Sequence, residues 1–155
     1  MPGPPTAPTL TTDLDAVREL LVHAGLPTAG VGDDEGDGDH QKDADYWLVR
    51  DEADDAVGCV GLERYDDAGL LRSLAVVDAR RGEGLGTDLV GAVERAAAND
   101  GLTRLFLLTT DATGFFAALG YDRVARDDAP AAVRASVEFA EACPTSATAM
   151  CKRLD

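Results

Sequence analysis

Apolar residues recur along this chain with two periods, and each period predicts one kind of element. Between Asp13 and Gly25 they follow helical spacing, with Thr12 or Asp13 as the N-cap and Pro27 just beyond the end. The next apolar stretches, DYWLVRD, AVGCVGLERYD and GLLRSLAVV, are short, rich in β-formers and joined by short turns. The pattern predicts one helix followed by three antiparallel strands.

The second half of the chain alternates strands with helices. A glycine-rich junction, RRGEGLG, leads into a predicted helix over Thr87–Asn99, which Gly101 closes. The unbroken apolar run in TRLFLLTT predicts a strand that is buried on both faces. Strand, helix and strand at this spacing form a βαβ unit, so GLLRSLAVV and TRLFLLTT are expected to be parallel neighbours.

Four further elements complete the pattern. TGFFAALGYDRVAR predicts a short helix that ends at Gly120 and a strand after it. A helix follows over 130–142, with Pro130 in its first turn and Pro144 at its stop, and ATAMCKRL predicts a last strand. These elements predict a single α/β domain over residues 11–155, preceded by a flexible tail over residues 1–10.

One segment has no periodicity. GVGDDEGDGDHQKDAD carries seven acidic residues among glycines between Asp33 and Asp45. Such a composition cannot bury a core, which predicts a mobile acidic loop over residues 32–45. The spacing of a calcium loop is not met, so a solvated loop is favoured and no metal site is predicted.

Composition and charge exclude several function classes. The 155 residues, 45% of them hydrophobic, suffice for a buried core. The net charge of −15 repels nucleic acid and anionic membranes, so neither is expected as a partner. No run approaches the roughly 20 apolar residues of a membrane span. The first residues also lack a signal-peptide pattern, and a cytoplasmic location is expected.

The charged residues and the cysteines indicate the salt and redox conditions in which the protein works. Aspartate is abundant, whereas Lys42 and Lys152 are the only lysines, which suits a surface solvated in high salt. A halophilic source is our hypothesis, and it requires the fold to fail in dilute buffer and return in molar KCl. Three cysteines, Cys59, Cys143 and Cys151, form no disulfide or zinc pattern. Inert buried thiols are favoured over capture of a soft metalloid by the last two.

The glycine junction has the chemistry of an anion site. A helix start exposes backbone N–H groups and the positive end of the helix dipole, so it attracts phosphate where the backbone is bare. Gly82, Gly84 and Gly86 supply that bareness. A Walker loop needs a Lys-Ser/Thr pair and the dinucleotide pattern needs other glycine spacing, so both are disfavoured.

The motif Arg81-x-x-Gly84-x-Gly86 after an apolar strand resembles the acetyl-CoA pyrophosphate loop of the GNAT superfamily of N-acetyltransferases. The order of elements from Gly69 to Val124, up to the segment LGY, matches that family. The chain is also similar to its arsenic-resistance N-acetyltransferase-like branch in LLRSLAV, LLTTDATGFFAALGY and F-x-x-x-CP-x-SA. The resemblance implies a mixed, centrally splayed sheet flanked by helices, with acetyl-CoA as co-substrate; an ordinary tight turn is the alternative for the loop.

The resemblance also implies contacts to acetyl-CoA. The strand ending at Leu74–Val77 would splay from Leu105–Thr109, with pantetheine in the opening. The backbone N–H of Val76 would stabilise the oxyanion that forms when an amine attacks the thioester. The expected contacts are Leu74, Ala75 and Val76 along the arm, Arg80, Arg81, Gly82, Gly84, Leu85 and Gly86 at the pyrophosphate, and Thr109 and Phe116 near the thioester.

Two side chains that members of this family use for proton transfer are replaced. Phe116 stands where a tyrosine often protonates the leaving thiolate, and Leu70 where histone-type members carry a glutamate. Glu63, in an apolar stretch of the neighbouring strand, is the candidate base; a solvent-facing strand glutamate is the alternative. Tyr121 is interpreted as a packing aromatic rather than as the acid.

Polar residues inside an apolar strand indicate an acceptor site. Arg72 and Ser73 interrupt LLRSLAV, where an unpaired charge would be costly. We interpret them as substrate-binding, with Arg72 meeting an anionic group of the acceptor; a structural salt bridge is the alternative. Arg134 and Phe139, on the predicted helix over 130–142, are further candidate contacts, although core packing is favoured for Phe139.

The resemblance therefore implies an acyl-CoA N-acyltransferase. Its reaction would transfer acetyl from acetyl-CoA to a primary amine of a small molecule by direct attack in a ternary complex. One alternative is a CoA-binding sensor or interaction module that has lost acetyl transfer. The replacements at Phe116 and Leu70 favour this alternative. Another is a structural protein with a fortuitous glycine loop. Pairing of edge strands into homodimers is common in the family, and the sequence leaves the oligomeric state open.

Overall fold

The computed structural model describes residues 7–25, 45–51, 53–65, 67–80, 82, 84–110, 112–134 and 147–154. The acidic loop before Asp45 and the predicted helix beyond Arg134 lie outside these ranges. Within them, no helix is both long and apolar enough to cross a membrane. The elements are β1 Thr9–Thr11, α1 Leu14–Ala24, β2 Asp45–Arg50, β3 Ala56–Tyr65, β4 Ala68–Val76, α2 Leu85–Asn99, β5 Arg104–Thr109, α3 Thr113–Ala118, β6 Asp122–Val124, α4 Ala131–Arg134 and β7 Thr148–Arg153.

Helix α1 begins and ends at its capping residues. Asp13 is the N-cap, and its carboxylate accepts a hydrogen bond from the Ala16 N–H at 3.2 Å. Gly25 closes the helix in the left-handed conformation, with φ of 72°. The predicted N-cap and closing glycine are both confirmed, because these signals are local to the sequence.

The strands described form one mixed sheet of seven, in the order β1-β2-β3-β4-β5-β7-β6. All neighbours are antiparallel except β4 and β5, which are parallel as the βαβ pattern predicts. Strand β1 corrects the predicted boundary of the tail, since residues 9 and 10 pair with β2. Three residues are too short to show a period, and only the edge of β2 makes them a strand.

The parallel pair β4 and β5 is short. Its register runs from Ala68 opposite Arg104 to Leu70 opposite Phe106. Residues 71–76 and 107–109 are described, and the pairing of β4 with β5 does not continue through them. The sheet therefore opens between the carboxyl ends of these two strands, as predicted.

Strand β4 carries a bulge where the sheet opens. One residue of β3, Val60, stands opposite two residues of β4, Ser73 and Leu74. Ser73 has a φ of 61°, in the left-handed region that costs a non-glycine residue about 1–2 kcal/mol. An extra residue therefore changes the register and direction of β4 just before the glycine junction.

Helices cover both faces of the sheet. Trp47 and Val49 belong to the core under α2, whereas Tyr46 and Leu48 belong to the core under α1. Because neighbouring strand residues point to opposite faces, α1 and α2 lie on opposite sides of the sheet. Helix α4 packs on the α1 side, where Val133 joins a third apolar cluster. The opening between β4 and β5 therefore has a helix layer on each side.

Gly61 provides a test of the packing on the α1 face. A Cβ at this position would lie 2.6 Å from Cε1 of Tyr46 and 3.4 Å from Cγ of Arg72. We expect Gly61→Ala to lower the free energy of unfolding by about 1–3 kcal/mol through overpacking.

The matched control is Gly91→Ala in α2, where the nearest neighbour of a Cβ is the mobile end of Arg95 at 3.4 Å. This variant is expected to gain up to about 1 kcal/mol, because alanine is the better helix former. Urea denaturation at constant salt measures both changes. Equal stabilities of the two variants would contradict the packing described for Gly61.

Candidate functional site

The loop between β4 and α2 leaves the start of the helix uncovered. Gly84 is the N-cap residue with φ of 85°, and no side chain caps α2 within the described part of the chain. Gly82 also has a positive φ, of 87°. A Cβ at either glycine would meet none of the described atoms within 4 Å. The geometry therefore fits an anion that approaches backbone N–H groups at the positive end of the dipole.

Phe115 borders this helix start, although the sequence analysis did not select it. A Cβ at Gly86 would lie 3.2 Å from Cζ of Phe115. The Phe115 side chain is 36% exposed, and its ring meets Phe116 edge-on with centroids 5.0 Å apart. The aromatic pair is visible in the sequence, but its contact with the glycine loop depends on how α3 packs beside α2.

Arg80, predicted at the pyrophosphate, lies beside an acid. Its Nη2 is 3.7 Å from Oδ2 of Asp51, and the side chains are 12% and 17% exposed. Asp51 also accepts hydrogen bonds from the backbone N–H groups of Ala53 and Asp55, which shapes the β2–β3 turn. Arg80 thus connects the glycine junction to that turn. Arg81 lies outside the described residues.

Beyond the bulge, β4 directs the Val76 N–H toward β5. The Val77 N–H donates to the Val57 carbonyl at 2.9 Å, and Gly58 lies opposite Val76. In an antiparallel pair, opposite residues alternate between pairs that exchange hydrogen bonds and pairs that do not. The Val76 N–H therefore points away from β3, to the side where the sheet opens.

The other residues predicted to contact the cofactor pack in the core or shape turns. Leu74 contacts the core under α2, and Ala75 the core under α1. Leu85, the first residue of α2, is buried. The Thr109 hydroxyl accepts a hydrogen bond from the Ala112 N–H at 3.0 Å and so fixes the turn between β5 and α3. These four residues therefore take part in core packing or in a turn.

Tyr121 belongs to a polar network that joins α2 to β7. Its hydroxyl donates to Glu94 at 3.0 Å, and Lys152 donates to the same carboxylate at 3.1 and 3.2 Å. Burial raises the pKa of Tyr121, and Glu94 raises it further. Phe116 packs edge-on against the Tyr121 ring with centroids 5.6 Å apart. Both aromatic residues are buried, as the packing interpretation of Tyr121 requires.

A buried ion pair joins β3 to β4 on the α1 face. Arg72 Nη1 lies 2.8 Å from Glu63 Oε2, and the side chains are 0% and 1% exposed. The other carboxylate oxygen accepts a hydrogen bond from the Tyr65 hydroxyl, whose pKa is raised by burial and by Glu63. Arg72 Nε donates to the Ser73 hydroxyl at 3.0 Å. We call these four side chains the bulge network: Tyr65, Glu63, Arg72 and Ser73.

The bulge network bears on two alternatives that the sequence left open for Glu63 and Arg72. A solvent-facing Glu63 is wrong, because the side chain is buried and stands opposite Leu70 in the register. The structural salt bridge considered for Arg72 is present. Arg134 Nε donates to the Ala129 carbonyl at 3.1 Å, at the start of α4. Two other residues considered from the sequence, Phe139 and Cys143, lie outside the described residues.

Cys59 lies next to the bulge, and its environment makes the thiol unreactive. Its thiol is fully buried and donates to the Ser73 carbonyl at 3.3 Å. Burial raises the pKa of the Cys59 thiol to about 12, so the thiolate is scarce at neutral pH. Burial also raises the pKa of the partly buried Cys151. Both thiols fit the packing role that the sequence favours for cysteine.

Known proteins resemble this chain in sequence and in fold. The profile of the acetyltransferase (GNAT) family matches residues 14–121. An uncharacterized N-acetyltransferase of Chlorobaculum tepidum is 31% identical over 85 residues, which cover 54% of this chain and 54% of that relative. The match thus spans about half the length of this curated relative.

Solved structures share the fold at low sequence identity. A GNAT-family acetyltransferase from Staphylococcus aureus Mu50 superposes with a TM-score of 0.75 at 17% identity, covering 98% of this chain and 100% of that one. N-acetylglutamate synthase from Neisseria gonorrhoeae, complexed with coenzyme A and N-acetyl-glutamate, gives 0.73 at 19% identity, covering 97% and 36%. These similarities show a mixed α/β sheet of the GNAT type.

The buried pair between Glu63 and Arg72 yields a stability prediction. Arg72→Met leaves a buried carboxylate without its cationic partner, which typically costs about 3–5 kcal/mol of unfolding free energy. Glu63→Leu combined with Arg72→Met removes both charges, and we expect it to recover most of that loss. Urea denaturation of both variants in the same salt measures the difference. A double variant as unstable as Arg72→Met alone would contradict the importance of the pairing.

Proposed function

Because the chain belongs to the acetyltransferase (GNAT) family, we propose that it transfers the acetyl group of acetyl-CoA to a primary amine of a small molecule. Amine and thioester would react directly in a ternary complex. The observation that carries the proposal is the uncapped, glycine-opened start of α2, beside the opening between β4 and β5. An anionic cofactor and an extended thioester arm need these two features side by side.

The residues around the helix start fit the pyrophosphate of acetyl-CoA. At Gly82 and Gly84 a Cβ would occupy space that meets none of the described atoms, so the backbone can be approached closely. Phe115 adds an exposed apolar surface beside Gly86. We assign the pyrophosphate to Arg80, Arg81, Gly82, Gly84, Leu85, Gly86 and the first N–H groups of α2, the arm to Leu74, Ala75 and Val76, and the thioester end to Thr109 and Phe116.

The net charge of −15 does not oppose this assignment at high ionic strength. In about 1 M salt the Debye length is about 3 Å, so distant carboxylates are screened from the cofactor. Contacts at hydrogen-bond distance then dominate binding. The halophilic character proposed from the composition thus also favours binding of a polyanion by an acidic protein.

In the proposed reaction, the main contribution of the protein is to orient the amine and the thioester. Acetyl-CoA supplies an activated thioester, and holding it beside the amine replaces a bimolecular encounter by an oriented one. The Val76 N–H, which points to the side where β4 and β5 separate, would donate to the oxyanion that develops during attack. A donor already held in position stabilises that charge without reorganisation.

Proton transfer would rely on solvent rather than on a dedicated side chain. Each oxygen of Glu63 already accepts a hydrogen bond within the bulge network. The Tyr121 phenol is buried and donates to Glu94, and Phe116 has no acidic group. We therefore propose that the amine enters as the free base and that the leaving thiolate takes its proton from water.

The finer assignments remain proposals from the sequence. The acceptor would lie on the α1 face near Ser73 and Arg134, with Arg72 acting there through its ion pair. Assignment to the arsenic-resistance-like branch rests on three sequence segments, and most of the last one lies outside the described residues. We likewise propose a cytoplasmic location, one domain over residues 11–155 and pairing of edge strands into dimers.

Ligand binding and turnover together test the proposal. In molar KCl, acetyl-CoA at 100 times its Kd should stabilise the fold by about 2.7 kcal/mol. For a chain of this size the shift in Tm is about 5–10 °C, whereas ATP and NAD should give none. Release of free CoA thiol with a panel of small primary amines then measures transfer. Binding without turnover would indicate a sensor, and absence of binding would contradict the assigned loop.

A matched pair of glycines isolates the contribution of the loop. Gly84 and Gly101 have φ of 85° and 83°, and a Cβ at either would meet none of the described atoms within 4 Å. Each alanine variant is expected to lose about 1–2 kcal/mol of stability through backbone strain. Only Gly84→Ala would place a methyl group at the start of α2, and we expect it to raise the KM for acetyl-CoA about tenfold, or ~1.4 kcal/mol.

The control variant, Gly101→Ala, follows the end of α2, so its KM should equal that of the wild type. Steady-state kinetics below the melting temperature of both variants measures the difference. An equal effect of the two substitutions on KM would show that backbone strain, not proximity to the cofactor, is responsible.

A further inference from the structure

Glu63 is a buried carboxylate that the proposed reaction does not use as a proton acceptor. We propose that it is a positioning residue: through Arg72 it holds Ser73 in the bulge of β4, and the bulge directs the Val76 N–H toward the thioester. The link to catalysis rests on the proposed function. The link between Glu63 and the bulge depends only on the contacts within this chain.

Ser73 is held from two sides. Its hydroxyl accepts a hydrogen bond from Arg72 Nε at 3.0 Å, and its carbonyl accepts one from the Cys59 thiol at 3.3 Å. Arg72 is itself fixed by Glu63, with Nη1 and Oε2 2.8 Å apart. Glu63 is fixed in turn by the Tyr65 hydroxyl on its other oxygen. A continuous set of contacts therefore runs from β3 to the bulged residue.

The bulge needs this support because its backbone is strained. Ser73 has a φ of 61°, and a residue with a side chain persists in that region only where its surroundings determine it. The charged groups that hold it are buried, so water cannot readily replace them if the pair is broken. Loss of the Glu63 charge should therefore loosen the bulge.

The bulge decides which backbone groups face the opening in the sheet. Before it, Arg72 lies opposite Gly61; after it, Ala75 lies opposite Cys59. Without the extra residue, the earlier register would continue and Val76 would stand opposite Val57, in the place that Val77 now occupies. Because N–H directions alternate along a strand, its N–H would then point to β3 rather than to the opening. The geometry of the proposed oxyanion donor thus depends on a single inserted residue.

The surroundings of Glu63 favour this role over that of a base. Its carboxylate is 1% exposed, and each oxygen already accepts from a donor: one from Tyr65 on its own strand, the other from Arg72 on β4. Tyr46 of β2 packs over Gly61 on the same face, so the network is enclosed from a third strand. A carboxylate in this setting is suited to hold a guanidinium.

Glu63→Gln tests the proposal, because it removes the charge and keeps the volume. We expect amide hydrogen exchange over residues 74–77 to become at least about tenfold faster and the Kd for acetyl-CoA to rise about tenfold. The acid side of the pH profile of kcat/KM for the amine should keep its shape. A base would instead lose at least about 100-fold in kcat together with that acid limb.

A second substitution, Ser73→Gly, further distinguishes a positioning role of Glu63 from a role as the catalytic base. Glycine adopts a positive φ without support, so Ser73→Gly should relieve the need for the network. In the Glu63→Gln background we expect it to restore most of the affinity for acetyl-CoA, measured against Ser73→Gly alone. If Glu63→Gln abolishes the acid limb and Ser73→Gly restores nothing, the positioning role is overturned.

The same experiments distinguish failure of this inference from failure of the proposed function. Wild-type binding of acetyl-CoA and turnover of amines test the function alone. Hydrogen exchange over residues 74–77 tests the hold on the bulge even in a protein that transfers nothing, and unchanged exchange in Glu63→Gln would overturn it. Should that variant fail to fold, Tyr65→Phe removes one donor and keeps the ion pair. It should speed exchange at the same residues by a smaller factor, and no change there would equally count against the proposal.

Discussion

One inserted residue in β4 determines the geometry of the centre of this molecule. On its β3 side, β4 is paired along its length, but the register shifts at Ser73 and Leu74. On its β5 side, the parallel pairing ends at Leu70. The strand is therefore held by one neighbour and released by the other over the same few residues. That combination turns the Val76 N–H of a central strand away from β3 and toward the side where the sheet opens.

Different interactions support this opening on the two faces of the sheet. Under α2 the core is apolar, and it fixes the helix whose start carries the glycine loop. On the α1 face an ion pair, Glu63 with Arg72, lies between two apolar clusters. Buried ion pairs add little net stability compared with apolar residues of similar size, but a half-satisfied pair is very costly. The network therefore contributes a defined conformation of the bulge more than stability.

The predictions from sequence succeeded where the signals were local. The caps of α1, the βαβ unit and the interruption of an apolar strand at Arg72 can all be seen within a few residues. The sequence could not show that Arg72 meets Glu63, since the two are brought together only by the register of β3 and β4. The insertion of β7 between β5 and β6, the pairing of β1 and the contact of Phe115 with the glycine loop are also decided by tertiary packing.

A transfer without a dedicated side-chain acid or base, as proposed for this chain, becomes understandable once the backbone is considered. A reaction between an amine and a thioester is accelerated by orientation and by a preorganised donor, and both can be supplied by main-chain groups. Phe116 and Leu70, at the two positions where the resemblance implies proton-transfer groups, are instead buried in apolar clusters. In the proposed reaction, the side chains that hold the bulge therefore matter through the backbone geometry that they maintain.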